Sequence, residues 1–96
     1  MTPSQALQAH RAAIRRVVQA HRADNARVFG SVLRGSDHED SDLDLLVDAL
    51  PGTTLFDLGG LQVELEDLLG VRVDLLTPLD LPERFRADVL AQAQPV

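Results

Sequence analysis

The chain has 96 residues, a formal net charge of −6, and neither cysteine nor lysine. A chain of this length makes one domain with a modest core, so any second lobe that holds a substrate is expected to come from another protein. The missing cysteine and lysine exclude disulfides, thiolate zinc sites, a thiol nucleophile, a Walker-type phosphate loop and a Schiff-base lysine.

The composition also narrows the range of partners. The acidic balance opposes non-specific binding to nucleic acid, and three aromatic residues are too few for a platform that stacks bases. No apolar run approaches the length that spans a bilayer, and the amino terminus lacks the apolar segment of a signal peptide. We therefore expect a cytoplasmic protein of one domain, residues 1–96, that contacts neither a membrane nor nucleic acid directly.

The first predicted element is an amphipathic helix. Thr2, Pro3 and Gln5 form a typical helix start, with a cap, a proline in the first turn and a side chain that reaches back. An apolar side and an arginine side follow at helical spacing: Leu7, Ile14, Val17, Val18 and His21 on the first, and Arg11, Arg15 and Arg22 on the second. We expect these arginines to be solvated, although they could also receive an acidic partner or a phosphate.

A short strand and a sharp turn come next. After a polar break at residues 23–25, residues 26–29 favour a strand that ends at Gly30, where the backbone must turn. Residues 31–34 then fit one helical turn. This arrangement would turn the amides after Gly30, together with the Ser31 hydroxyl, outward as a site for an anion.

Acidic residues are concentrated just beyond that turn, since six of the fifteen lie between Asp37 and Asp48. Asp42 and Asp44 precede and enter a predicted strand, where alternate side chains share a face and alternate Cα atoms lie roughly 6.5 to 7 Å apart. Two carboxylates at this spacing can hold two cations about 3.5 to 4 Å apart. We expect the alternate apolar residues to bury the other face of the strand: Leu43, Leu45 and Val47.

A second long helix, a third strand and a last helix complete the prediction. Thr54 caps a helix with a leucine stripe that stops at Gly70, and residues 71–76 form the third strand. Asp74 interrupts this apolar strand, so it either completes a three-carboxylate cluster beside the second strand and acts as general base, or pairs with Arg72 or Arg34. The last helix would carry Phe85, Val89 and Leu90, and the tail AQAQPV is expected to be frayed.

Gly30-Ser31, ten further residues and Asp42-Leu43-Asp44 form the pattern G-S-x10-D-x-D. This pattern resembles the signature of the DNA polymerase β-like nucleotidyltransferase superfamily. The stretch VFGSVLRGSDHEDSDLDLLVD is similar to the minimal nucleotidyltransferase domains, and VRVDLLTP is similar to the strand that bears their third carboxylate. The likeness covers nearly the whole chain.

The resemblance implies an α/β (α+β) nucleotidyltransferase fold, with a mixed sheet of three to four strands and helices packed on it. It further implies a nucleoside triphosphate, here ATP, whose phosphates lie against Gly30 and Ser31, and two Mg²⁺ ions held by Asp42, Asp44 and Asp74. Arg34 would steady the phosphates or the loop, or would simply pair with Asp37 or Asp40. The implied reaction transfers a nucleotidyl group to a hydroxyl and releases pyrophosphate.

Members of this size resemble the antitoxins of HEPN/MNT toxin–antitoxin pairs. That likeness implies transfer of AMP to a tyrosine hydroxyl of a HEPN ribonuclease toxin, which would be silenced by this AMPylation. Two other readings remain open: a non-catalytic antitoxin that masks the toxin by binding, and an adenylyltransferase that acts on a small molecule. Whether the protein forms homo- or hetero-oligomers stays open as well.

Overall fold

The computed structural model describes all of residues 1–96, and it confirms the predicted mixed α+β fold. Its elements in chain order are α1 (Pro3–Ala20), β1 (Ala23–Phe29), α2 (Ser31–Arg34), β2 (Leu43–Ala49), α3 (Leu55–Leu69), β3 (Val73–Leu76), a 3₁₀ turn (Pro78–Asp80), α4 (Glu83–Gln92) and β4 (Gln94–Pro95). No helix among them is both long and apolar enough to cross a membrane.

The four strands form one mixed sheet in the order β3-β2-β1-β4. β1 runs antiparallel to both β2 and β4, whereas β2 and β3 are parallel. The parallel pair requires a long crossover between its strands, and α3 supplies it. The prediction that the third strand lies beside the second is therefore confirmed, and β2 occupies the middle of the sheet next to β3.

One face of the sheet carries the main core. α1 and α3 contact each other, α1 contacts β1 and β2, and α3 contacts β3. The predicted inward positions of β2, namely Leu43, Leu45 and Val47, are fully buried. Leu46 points to the opposite face and is buried too, and the 3₁₀ turn contacts β2. The face that bears Asp44 is therefore covered only in part.

Capping fixes the starts of both long helices as predicted. Thr2 and Gln5 form a capping box at α1, and Thr54 and Asp57 form another at α3. The predicted apolar stripes are buried at their centres: Leu7, Ile14 and Val18 in α1, and Leu61, Leu65 and Leu69 in α3. α3 ends at Gly70 in the left-handed conformation, with φ at 68°.

The predicted polar break before β1 is wrong. Ala23 is buried and already pairs with Ala49 of β2, so the strand begins there. The pairing register shifts between Asp24 and Arg27, where Asn25 adopts a φ of 53°. A bulge of this kind absorbs polar residues without ending the strand, which is why composition alone suggested a break.

The tail is not frayed, contrary to the prediction. Gln94 and Pro95 pair with β1 as β4, and the amide of Val96 donates to the carbonyl of Ala26 at 2.9 Å. β1 would otherwise present an open edge on this side, and β4 covers it.

The arginines of α1 are also not merely solvated, because two of them hold this tail. Arg11 donates to the carbonyl of Pro95 at 3.4 Å, and Arg15 donates to the carbonyl of Val96 at 2.9 Å. Arg22 lies beyond the end of the helix. The arginine side of α1 therefore has a structural role in the fold.

The last helix forms where it was predicted, but it buries nothing. α4 has no buried residue, and Phe85 remains 49% exposed. The third strand starts at Val73 rather than Val71, and Val73 is its buried residue. α4 therefore lies on the fold without contributing to the main core.

Candidate active site

The turn after β1 is shaped by a single glycine. Gly30 caps α2 with φ at 75° and ψ at −146°, a conformation that side-chain-bearing residues rarely adopt. A Cβ atom at this position would lie 2.1 Å from Oδ2 of Asp44. Backbone conformation and the Asp44 carboxylate both exclude a side chain here, so the turn and the carboxylate form one unit.

The predicted carboxylates meet at the middle of the sheet. In the strand register, Asp44 lies opposite Phe29 of β1 on one side and opposite Asp74 of β3 on the other. Asp42 precedes β2 and falls on the same face as Asp44, since alternate residues of a strand share a face. The structure therefore brings Asp44, Asp74 and Gly30 together and places Asp42 at the end of the same strand face.

Asp44 carries the strongest electrostatic signal of this cluster. Burial, together with the negative charges of Asp74 and Asp42, raises the pKa of Asp44 from 3.8 to about 6. A hydrogen bond with Asp74 also favours the protonated form, and only the charge of Arg34 opposes the shift. A half-buried carboxylate that is held among like charges is an environment that a cation would relieve.

Asp74 is more accessible than its apolar strand suggested. Its side chain is exposed, so the expected cost of burying it does not arise. The alternative pairing of Asp74 with Arg72 or Arg34 is wrong, because it makes an ion pair with neither. An exposed carboxylate next to Asp44 with no basic partner can meet a metal ion or an acceptor hydroxyl.

Asp42 is turned toward an arginine instead of toward the other two carboxylates. Arg72 Nε lies 3.0 Å from Oδ1 of Asp42, and its Nη2 donates to the carbonyl of Asp40 at 3.2 Å. No group of three or more acidic or histidine side chains is arranged closely enough to hold a metal ion in this conformation. The sequence analysis missed this contact, because it considered Arg72 only as a partner of Asp74.

The donor set nevertheless fits a divalent cation of the magnesium type. Carboxylate oxygens are the protein ligands that such cations prefer, and three of them border one patch of the sheet. The ion pair that holds Asp42 is largely exposed, with side-chain exposures of 75% and 45%. Exposed pairs contribute only about 0 to 1 kcal/mol, so a cation can displace Arg72 and draw Asp42 into the cluster.

Ser31 and Arg34 are both without partners in the chain. The Ser31 hydroxyl makes no hydrogen bond to protein, and Arg34 makes no ion pair. The predicted alternatives for Arg34 are wrong. Asp37 is bonded instead by the amide and hydroxyl of Ser4, which holds the pKa of Asp37 below its ordinary value, and Asp40 pairs with no arginine side chain.

A cavity of about 260 Å³ adjoins this turn. It is lined by Phe29, Gly30, Leu33, Arg34, Val89 and Gln92. The last two residues come from α4, so the helix that buries nothing forms one wall of a cavity beside the carboxylates. The polar groups that reach this side are the unpaired guanidinium of Arg34 and the amide of Gln92.

Comparison with known families agrees with the geometry. A family model described as a nucleotidyltransferase domain matches residues 10–95. A Methanocaldococcus jannaschii protein, provisionally named a protein adenylyltransferase, is 36% identical over 77 residues, which make up 80% of this chain and 83% of that protein. The protein adenylyltransferase MntA of Thermococcus cleftensis is 43% identical over 65 residues, or 68% of this chain and 66% of that protein.

Two solved structures are similar to the whole fold. One, provisionally described as a minimal nucleotidyltransferase, is 47% identical with a TM-score of 0.87, and the match covers 97% of this chain and 95% of that one. The other is a crystal structure of a toxin–antitoxin with AMP-PNP, with a TM-score of 0.69 over 83% of this chain and 66% of that one. At 22% identity, this second likeness shows the fold alone.

Proposed function

The chain belongs to the nucleotidyltransferase domain family and is a nucleotidyltransferase; from this premise we propose that it transfers AMP from ATP to a hydroxyl group of a partner protein. The observation that carries the proposal is the register of Asp44 with Asp74, directly beside the Gly30 turn. Carboxylates on neighbouring strand positions, next to a sharp turn that leads into a helix start, suit the transfer of a nucleotidyl group.

Two Mg²⁺ ions would be held by Asp42, Asp44 and Asp74. The support is the charge of the cluster, since the pKa of Asp44 is raised to about 6 by burial and by its two carboxylate neighbours. When bound, such ions stabilise the charge on the attacking and leaving oxygens of an in-line displacement. Asp42 would join them by turning away from Arg72.

The chain's own residues would position the triphosphate. The turn that Gly30 permits places the start of α2 directly beside Asp44, and the unpaired Ser31 hydroxyl there is available as a donor to a phosphate. Arg34 lacks an ion-pair partner and can donate two parallel hydrogen bonds to phosphate oxygens. These three residues would fix the α-phosphorus in front of the carboxylates.

Asp74 would act as the general base. Its carboxylate is exposed, so a hydroxyl group of an incoming protein can reach it. The hydroxyl oxygen forms a bond to the α-phosphorus and gives its proton to Asp74. The bond between the α-phosphorus and the oxygen that bridges to the β-phosphorus breaks, and pyrophosphate leaves with that electron pair.

The acceptor we propose is a tyrosine of a HEPN-type ribonuclease toxin, so that this protein acts as the antitoxin. Support comes from the MntA relative, which is named a protein adenylyltransferase, and from the toxin–antitoxin structure that shares the fold.

One observation favours a second candidate function, a non-catalytic antitoxin that neutralises the toxin by binding alone. Asp42 is paired with Arg72, and no three-ligand group is closed around a metal position. If that pairing persists in the presence of Mg²⁺ and nucleotide, the site would not assemble, and only association with the partner would protect the cell.

Intact mass spectrometry of the neighbouring gene's product separates the two candidates. The product is incubated with this protein, Mg²⁺ and each nucleoside triphosphate in turn. We expect whole AMP increments on a tyrosine with ATP, none with Asp44→Asn, and full modification with Asp40→Asn. Asp40 is the matched control because it is an aspartate in the same loop whose side chain has no partner.

Two outcomes would contradict the catalytic proposal. One is an unmodified partner that nonetheless forms a complex and loses its ribonuclease activity, which would leave the binding antitoxin. The other is equal modification by wild type and Asp44→Asn, which would remove the carboxylate cluster from the mechanism.

A further inference from the structure

The outward side of α3 presents an apolar surface that the fold does not use. It consists of Phe56, Gly59, Gly60 and Val63, and we call it the α3 outer face. Phe56 is 91% exposed and Val63 is 59% exposed, and Leu55 beside them is 86% exposed. Large apolar side chains grouped at the surface mark a contact site more often than isolated ones do.

The two glycines of this face have no role inside the chain. A Cβ atom at Gly59 would meet nothing within 4 Å, and one at Gly60 would reach the His21 ring only at an ordinary 3.6 Å. Glycine is the least favourable residue in a helix interior after proline. Neither packing nor backbone conformation requires glycine at these two positions. The lack of side chains therefore benefits only a molecule that packs against α3 from outside.

The shape of the face suits a helix. Phe56 and Val63 are seven residues apart, so about 10 Å of helix axis separates them at about 1.5 Å per residue. The glycines lie between them and have no side chains, so the helix backbone is exposed in a groove about 10 Å wide between Phe56 and Val63. A helix with its side chains is about 10 to 12 Å across, so a second helix can cross α3 in this groove.

Charge decides which helix fits. α3 contains four acidic residues and no basic one: Asp57, Glu64, Glu66 and Asp67. Glu64 and Asp67 are exposed along the outer face; Glu64 is paired with His21 of this chain, whereas Asp67 has no ion-pair partner. A second copy of this chain would bring acidic edges against acidic edges, whereas a partner helix with lysine or arginine along its sides would be attracted. The rim therefore selects a basic partner over self-association.

The face also lies away from the carboxylates. The inward residues of β2 pack with α1 and α3 in one core, and Asp44 alternates onto the other face of the sheet. α3 is thus separated from Asp44 and Asp74 by the sheet itself. A protein that docks on α3 leaves the nucleotide site uncovered.

We propose that the α3 outer face docks an apolar helix, flanked by basic residues, of the partner protein. The inference rests on the proposed function for the existence of that partner, and it adds where the partner is held. Docking on one side of the sheet and transfer on the other would leave the acceptor segment of the partner to reach around the edge of this thin molecule, whose shortest extent is 19 Å.

The test measures the affinity of the purified neighbouring gene's product for variants of the full chain by isothermal titration. Phe56→Ser is expected to weaken binding by at least about ten-fold, as loss of a central aromatic anchor does. Leu79→Ser is the matched control, since Leu79 is 82% exposed but lies in the 3₁₀ turn. It should change affinity by less than about two-fold.

Gly59→Gln adds a test that does not rely on losing an apolar group. Glutamine favours helix more than glycine does, so the variant should fold at least as well, while its side chain fills the groove and weakens binding by at least about ten-fold. A benzoylphenylalanine at position 56 should cross-link to a helical segment of the partner that carries lysine or arginine.

Each contrary result overturns the inference in its own way. Unchanged affinity of Phe56→Ser and Gly59→Gln in a complex that still forms places the interface elsewhere and leaves the proposed function intact. A cross-link to a second copy of this chain replaces the partner helix by self-association. If the wild-type protein forms no complex with the neighbouring gene's product, both the proposed partner and the proposed docking surface are refuted.

Discussion

The carboxylate side of the sheet and the α3 outer face differ in what holds their residues in place. On the carboxylate side, strand register fixes each group: Asp44 is paired with Asp74 on one side and contacts the Gly30 turn on the other. On the α3 outer face only the His21 ring lies nearby, beside Gly60, and Phe56 is almost fully exposed. The fold explains the residues on the carboxylate side, whereas the proposed partner explains those on the α3 outer face.

Two glycines make the contrast concrete. Gly30 has a φ of 75° and a carboxylate where its side chain would be, so the fold requires it. Gly59 is helical, with open space around it, so the fold would be better served by almost any other residue. Where local physics opposes a residue and no internal contact explains it, an external contact becomes the reasonable explanation.

The largest expected effect tests the carboxylate side. Asp44→Asn removes a negative charge at the centre of the cluster while keeping the size of the side chain. We expect AMP transfer to fall by about a thousand-fold or more, because cation binding and proton transfer both depend on the cluster. Affinity for the partner should stay within about two-fold. Loss of affinity together with rate would show that the two surfaces are not separate.

A second change compares two glycines of positive φ, Gly30 with ψ at −146° and Gly35 in the left-handed helical conformation with ψ at 22°. Gly30→Ala is expected to lower the free energy of unfolding by about 2 to 3 kcal/mol, through both strained φ and the clash with Asp44. Gly35→Ala shares a φ of 72° but meets nothing within 4 Å, so it should cost only about 1 kcal/mol. Urea unfolding measures both, and equal costs would show that neither the Asp44 contact nor the ψ of −146° makes Gly30 the more demanding position.

The pKa of Asp44 predicts how stability depends on pH without metal. Its folded value of about 6 exceeds its ordinary 3.8, so the folded state binds the proton more tightly than the unfolded state does. The carboxyl therefore lowers stability progressively as pH rises from the ordinary value to the folded one, and the penalty stays constant above that.

Asp44→Asn removes this penalty. At neutral pH and without metal, the variant should be more stable than wild type by roughly 1 to 2 kcal/mol, after allowance for solvent screening of a half-buried group. The difference should vanish near the ordinary pKa of the carboxyl, and Mg²⁺ should reverse it. Thermal unfolding across pH with a chelator present measures it, and a variant less stable at every pH would refute the like-charge explanation.

A smaller effect sharpens the other surface. Gly59→Ala should raise the free energy of unfolding by about 0.5 to 1 kcal/mol, because alanine favours helix and meets no neighbour. Gly70→Ala is the matched comparison at the end of the same helix, where φ is 68°, and it should lower stability by about 1 kcal/mol. Destabilisation by both would mean that the fold does need Gly59.

The smallest expected effect concerns the arginine that holds Asp42. Arg72→Gln removes an exposed ion pair of about 0 to 1 kcal/mol, so Mg²⁺ affinity should rise by no more than about five-fold. Calorimetric titration of Mg²⁺ into the protein measures this change. Weaker Mg²⁺ binding by the variant would show that Arg72 supports the site instead of competing for Asp42.

Much of the site could be predicted because its signals are local. Alternation along β2 placed Asp42 and Asp44 opposite the buried leucines. The helical stretch between β2 and β3 allows a parallel pair, but the direction of the strands was not predicted and comes from the structure. That pairing brought Asp74 next to Asp44. The capping boxes at Thr2 and Thr54 were equally readable, since a cap depends on residues three positions apart.

What the sequence did not reveal depends on distant contacts. β4 has two residues, one of them proline, and exists because β1 has an open edge to cover. The pairing of Arg72 with Asp42 requires β3 to lie beside β2 in one particular register. Both side chains are exposed, so the alternation of polar and apolar residues does not predict this pair. The exposed apolar residues of α3, Leu55, Phe56 and Val63, could not be told apart in the sequence from the buried apolar residues of the same helix.

Phosphate-specific labelling of the partner tests the central claim most directly. The neighbouring gene's product is incubated with wild-type protein, Mg²⁺ and ATP labelled at either the α- or the γ-phosphorus. If the protein is an adenylyltransferase, label from the α-phosphorus appears on the partner and label from the γ-phosphorus appears only in pyrophosphate. Label transferred from the γ-phosphorus, or a partner that is silenced without any label, would contradict it.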